Sequence, residues 1–108
     1  MEHEVIEELA AGIVEAGEGG TVALTGAGIS TESGIPDFRS PGGLWEQFDP
    51  MEYATIDAFR KDPLKVWEML REMDKVIEGA TANEGHRALA RLEQRGLLAG
   101  IVTQNIDN

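Results

Sequence analysis

Two stretches of the sequence place chemically capable residues at close spacing. The first is Gly26-Ala27-Gly28, with Asp37 and Arg39 a short way beyond. Glycines that follow a strand let backbone N–H groups approach a phosphate closely, without Lys or Arg. The usual dinucleotide fingerprint has a third glycine three positions after the second; here that position is Thr31. No acid closes a clear second strand to take a ribose hydroxyl, so the pattern alone is equally that of a tight strand-to-helix turn. Arg39 is the only Lys or Arg among the first 59 residues. A diphosphate in this loop would therefore meet backbone amides and one cation; an ion pair of Arg39 with Asp37 or Glu32 is the alternative. The second stretch is Thr103-Gln104-Asn105-Ile106-Asp107, where two amides and a carboxylate stand together. They could hold a polar ligand, or simply cap a strand end.

An alternation of helices and strands must position these stretches. Residues 3–16 carry Val5, Ile6, Leu9, Ile13 and Val14 on one helical face, and Gly17, Gly19 and Gly20 stop the helix. Thr21-Val22-Ala23-Leu24-Thr25 is short, apolar and β-branched, which predicts a buried strand. A short helical piece is expected near 29–33. Pro36, Pro41, Pro50, Gly34, Gly42 and Gly43 make 34–50 a long loop, followed by a helical turn over 55–60. Pro63 suits the first turn of the next helix, whose Trp67, Leu70, Met73 and Ile77 form an apolar stripe ending at Gly79. A further helix spans 84–95, with Asn83 as N-cap, Leu89 and Leu92 facing inward, and Gly96 beyond its end. Ile101-Val102-Thr103 predicts a second buried strand. The order favours an α/β fold with a parallel sheet and flanking helices. Parallel strands present their carboxyl ends at one edge, where ligands bind, so 25–39 and 103–108 are expected on that edge.

Composition narrows the function classes. The 108 residues hold 9 Lys+Arg against 20 Asp+Glu, a net charge of −11. The length predicts one domain, and 42% hydrophobic with 27% charged residues is ordinary globular composition. No apolar run approaches the roughly 20 residues of a membrane span. The start, MEHEVIEELA, is acidic where a secretory signal would be basic, so a cytoplasmic protein is expected. Cysteine is absent, which excludes a disulfide or a thiolate metal site in these residues. The negative charge argues against direct nucleic-acid binding and would attract a Lys-bearing partner. Eight acids and no Lys or Arg lie in residues 1–38, leaving −3 for the remainder. An acidic surface with six Arg and three Lys suits a high-salt solvent as well as an ordinary acidic cytosolic protein.

The run Gly26-Ala27-Gly28-Ile29-Ser30-Thr31-Glu32-Ser33-Gly34-Ile35-Pro36-Asp37-Phe38-Arg39 resembles the signature of the sirtuins, the NAD-dependent protein-lysine deacylases. Thr103-Gln104-Asn105-Ile106-Asp107 resembles their second signature. Gly43-Leu44-Trp45, Asp62-Pro63 with Trp67, and Asn83 with His86, Ala88 and Leu89 are similar to that family as well. The resemblance implies an incomplete Rossmann-like parallel sheet and NAD as cofactor. It implies that Gly26, Ala27 and Gly28 cradle the pyrophosphate, with Ile29, Ser30, Glu32 and Arg39 near the cofactor. Ile35, Pro36, Asp37 and Phe38 would line the nicotinamide pocket, Phe38 shielding the ribose carbon that loses nicotinamide. Gln104 and Asn105 would contact the nicotinamide ribose or an ordered water, and Ile106 and Asp107 the carboxamide. Asn105 and Asp107 would thereby support catalysis.

The implied reaction moves an acyl group from lysine to ADP-ribose with release of nicotinamide, a histidine acting as general base. In the family that histidine lies just beyond the second signature; this chain has only His3 and His86, and His86 reads as a packing or hydrogen-bonding residue. The family's four-cysteine zinc module has no counterpart either. The expectation is that residues 1–108 are the N-terminal portion of one NAD-binding domain, without the zinc module or the C-terminal half of the fold. Alone they are expected to be inactive and to bind NAD weakly or not at all. The alternatives are a non-catalytic NAD or ADP-ribose binding module and a mono-ADP-ribosyltransferase. Relatives that remove acidic acyl groups carry Tyr and Arg where this chain has Leu70 and Met73. An apolar acyl pocket and an acyl-lysine protein substrate bearing acetyl or longer aliphatic groups follow.

Overall fold

The computed structural model describes residues 2–107. Two parallel strands, β1 (Thr21–Thr25) and β2 (Leu98–Thr103), pair from Thr21 opposite Leu98 to Thr25 opposite Thr103. The register shifts once, between Thr21 and Val22. Parallel strands need a long crossover, and residues 26–97 provide it. It holds a 3-10 helix (Ala27–Ser33) and helices α2 (Leu44–Gln47), α3 (Pro50–Tyr53), α4 (Ile56–Lys61), α5 (Pro63–Glu78) and α6 (Glu84–Gln94). Helix α1 (Glu2–Ala16) precedes β1. The chain is therefore α/β, with a two-stranded parallel sheet and flanking helices, as the alternation predicted.

The chain divides into two units. One comprises residues up to Gly26 together with Asn83–Asn105; the other holds Ala27–Ala82 and the residues from Ile106. In the first, α6 lies against β2, and Leu98 is buried. Asn83 caps α6: its side-chain oxygen accepts from the Gly85 and His86 amides, while Nδ1 of His86 accepts from the Asn83 amide. This reciprocal box satisfies donors the helix start would leave orphaned. In the second unit α3, α4 and α5 pack on one another. Asp49, Thr55 and Asp62 cap these three helices by accepting from the amides of Met51, Ala58 and Lys65. Leu44, Val66 and Met69 form its buried apolar core.

Several expectations need correction. The region 34–50 is not all loop: α2 occupies Leu44–Gln47, and α3 begins at Pro50. Each is a single turn, too short for hydrophobic periodicity to register. β2 begins at Leu98, three residues earlier than expected. The buried face of α5 is set by Val66 and Met69, with Leu70, Met73 and Ile77 half-buried and Trp67 half exposed. Neither strand is buried on both faces, since Val22, Leu24, Ile101 and Val102 are exposed among the described residues. Apolar composition marks a strand, but does not say how many layers cover it.

Candidate functional site

The first unit joins the start of one signature to the second. At the carboxyl ends of the paired strands the Gln104 amide donates to the Thr25 carbonyl at 3.4 Å. Asn105 then donates its side-chain Nδ2 to the Gly26 carbonyl at 2.9 Å, and its backbone N–H to Oγ1 of Thr103 at 3.1 Å. A Cβ on Gly26 would stand 2.8 Å from Nε2 of Gln104, so the bare glycine admits that amide. Gly26, Gln104 and Asn105 thus meet at one strand edge, as the parallel topology predicted. The pairing is nonlocal, 79 positions apart in sequence.

The second unit holds the rest of the first signature. In the 3-10 helix Ser30 is buried, and Oγ1 of Thr31 donates to the Gly28 carbonyl at 2.9 Å. Nothing lies within 4 Å of where a Cβ on Gly28 would stand, and its φ is not positive. Neither backbone geometry nor packing within the described residues requires glycine there. What the missing side chain leaves is open backbone, which fits the close approach of a pyrophosphate. Arg39 is exposed and makes no ion pair among the described residues, so the pairing with Asp37 or Glu32 does not form. Glu32 and Ile106 are exposed; Ile29, Ile35, Pro36, Asp37 and Asp107 are half-buried.

Asp37 and Phe38 sit in a loop with its own internal bonding. Both carboxylate oxygens of Asp37 accept from Ser40, one from its amide and one from its hydroxyl. The carbonyls of Asp37 and Phe38 accept from the amides of Leu44 and Trp45 at 2.8 and 3.0 Å. The Phe38 and Trp45 rings lie 5.1 Å apart at a 34° tilt. In the sequence Gly43-Leu44-Trp45 is only a resembling string, and neither these contacts nor the part of Ser40 leaves a signal there. Beside the loop, Ile35, Pro36, Leu44, Phe48 and Met73 line an apolar cavity of about 100 Å³, with Glu72 and Gln47 among its walls. Met73 lines it and Leu70 does not.

No group of three or more His, Cys, Asp or Glu among the described residues could hold a metal ion. No helix among the described residues is long and apolar enough to cross a membrane.

A family model described as the Sir2 family matches residues 26–108. An NAD-dependent protein deacylase of Thermococcus sibiricus is 54% identical over 87 residues, which is 81% of this chain and 34% of that protein. A solved Sir2 homologue mutant in complex with ADP-ribose superposes with a TM-score of 0.75 at 49% identity, over 80% of this chain and 34% of the other. A Sir2 mutant solved with a deacetylated p53 peptide and 3'-O-acetyl ADP-ribose gives a TM-score of 0.73 at 43% identity, over 80% and 35%. The chain spans about a third of the length of these relatives. With both signatures in place, and with the family model matching from the first glycine of the loop onward, the chain belongs to the Sir2 family.

Proposed function

We propose that this chain contributes the cofactor-binding part of an NAD-dependent protein-lysine deacylase, and that residues 1–108 form the N-terminal portion of one NAD-binding domain. The observation that supports this is the Asn105–Gly26 hydrogen bond, which joins the first glycine of one signature to Asn105 of the other at the strand ends. NAD bound here would supply an electrophilic anomeric carbon with nicotinamide as its leaving group. Around it the amides of Gly26, Ala27 and Gly28 bind the pyrophosphate, with Ile29, Ser30 and Glu32 nearby, and Arg39 adds the cation. Ile35, Pro36 and Asp37 line the nicotinamide side, and Phe38 excludes water from the reacting carbon. Gln104 and Asn105 orient the ribose, while Ile106 and Asp107 take the carboxamide.

Neither histidine of the chain is placed as the general base. His3 faces Glu7 on the exposed α1, and Nδ1 of His86 is engaged by the Asn83 amide. The 108 residues alone are therefore expected to leave an acetyl-lysine peptide intact. Reading the gene past the Asn108 codon tests the assignment. A histidine soon after Asn108, with four later cysteines, supports the deacylase; a stop codon supports a binding module for NAD or ADP-ribose. An ADP-ribosylated product from the encoded enzyme would instead favour a transferase.

The cavity beside Met73 favours neutral aliphatic acyl groups. Its lining includes no Lys or Arg, and the nearby Lys75 ammonium is engaged by the Glu72 carboxylate at 2.8 Å rather than offered to a dicarboxylate tail. Acetyl-lysine is expected to be cleaved faster than succinyl-lysine by the enzyme carrying this segment; the reverse order would refute the preference.

A further inference from the structure

We propose that the exposed face of α6 is a docking surface for an acidic segment of a partner protein, held by Arg87, Arg91 and Arg95. The three arginines recur at every fourth residue, Arg95 being the C-cap of the helix. An α-helix turns once in about 3.6 residues, so each such step advances only roughly 40° around the axis. The three guanidinium groups therefore share one side of the helix, in a stripe about 12 Å long. All three arginines are exposed, whereas Leu89 and Leu92, set elsewhere around the helix, are half-buried. They are also the only Lys or Arg of the first unit, against eight Glu. An acidic segment is repelled by the rest of that unit and drawn to this one face.

Glu84 orients the stripe without consuming it. Its Oε1 lies 2.6 Å from Nη1 of Arg87, and its Oε2 lies 4.0 Å from Nη2 of Arg91. One carboxylate thus serves two guanidinium groups, and Arg95 makes no ion pair among the described residues. Each guanidinium carries a fork of N–H donors, so most of those on this face are left for a partner. Elsewhere Lys65 and Lys75 are each matched by a carboxylate of their own, Glu52 and Glu72. The fork fits a carboxylate in bidentate fashion. Acidic side chains four apart on a helix, or two apart on an extended strand, repeat at about 6–7 Å, the step of the arginines. A nucleic acid is a poorer occupant, because three contacts release few counterions and the net charge of −11 repels the remaining phosphates. None of the three arginines belongs to either signature, so the partner is held by residues other than those assigned to NAD.

Fluorescence anisotropy of fluorescein-labelled octaglutamate, titrated with the enzyme carrying this segment at low ionic strength, tests the proposal. Octaglutamate is expected to bind and labelled octaglutamine is not. Arg91→Gln together with Arg95→Gln should weaken binding by about two- to thirtyfold, the worth of two exposed ion pairs. Arg60→Gln together with Lys61→Gln removes the same charge from α4 and should change it by less than about twofold. Glu84→Gln should strengthen binding, because it frees Arg87 and Arg91 of a competing carboxylate. Arg91→Lys together with Arg95→Lys keeps the charge and should retain most of the affinity, which separates lost attraction from a disturbed helix. Added salt should weaken binding throughout. Failure of octaglutamate to bind, or an equal loss from the α4 and α6 pairs, overturns the proposal. So does tighter binding of a labelled oligothymidylate of eight nucleotides, which would make the face a nucleic-acid site.

Discussion

The strand edge at Gly26 and the loop from Asp37 to Trp45 both carry signature residues, but they hold them by different means. At the edge, Gln104 and Asn105 are placed by a nonlocal pairing of strands, and the glycine between them makes room for a side-chain amide. In the loop, Asp37 and Phe38 are placed by bonds to residues within the next eight positions, and Gly43 makes room for three carbonyls. A displaced amide side chain can swing away; displaced carbonyls cannot. The loop is thus the less forgiving of the two, although it lacks regular structure over 34–43.

Four substitutions break or sharpen that contrast. Gly43→Ala has the largest expected effect, a loss of about 1–3 kcal/mol from forced overpacking. Hydrogen exchange should show the Leu44 and Trp45 amides losing protection while those of β1 and β2 keep theirs; equal loss in both would dissolve the contrast. Asn105→Ala comes next. Removing one hydrogen bond to a carbonyl costs about 1 kcal/mol, and the Gly26 region should exchange faster while the loop is unchanged. Ser40→Ala leaves the Asp37 carboxylate with the Ser40 amide alone, at an exposed position. Its expected cost in urea unfolding is about 0.5 kcal/mol, the low end for one hydrogen bond. Gly28→Ala has the smallest expected effect on stability, within about 0.5 kcal/mol, because its methyl meets nothing. In the enzyme carrying this segment, calorimetry with ADP-ribose should nevertheless show the Gly28→Ala variant binding at least about tenfold more weakly than the parent enzyme, equivalent to 1.4 kcal/mol. Unchanged affinity would mean that the open backbone at Gly28 is not a phosphate site.

The same contrast explains what could be read from sequence. The bounds of α1, β1, α5 and α6 fall within a residue or so of expectation because periodicity, proline and capping residues all speak locally. The parallel edge was legible because alternating helices and strands leave few topologies. The one-turn helices α2 and α3 were not, since four residues contain no period. Nor was the exposure of Val22, Leu24, Ile101 and Val102, because an apolar residue does not announce whether another layer covers it. In the site, the two signatures stood out as strings, whereas the staple through Gly43 did not. Its partners are backbone carbonyls, which every residue carries alike.

The two-stranded sheet also bears on how the polypeptide behaves at high concentration. Each strand pairs on one side only within the described residues, leaving a row of amides and carbonyls that another copy could extend. Exposed Val22, Leu24, Ile101 and Val102 make that contact adhesive. The surplus of carboxylates then acts as a colloidal guard, because every copy repels every other. Added salt shortens the reach of that repulsion to about 3 Å at 1 M. Light scattering of this chain should therefore rise with ionic strength, the opposite of what a protein adapted to brine would do.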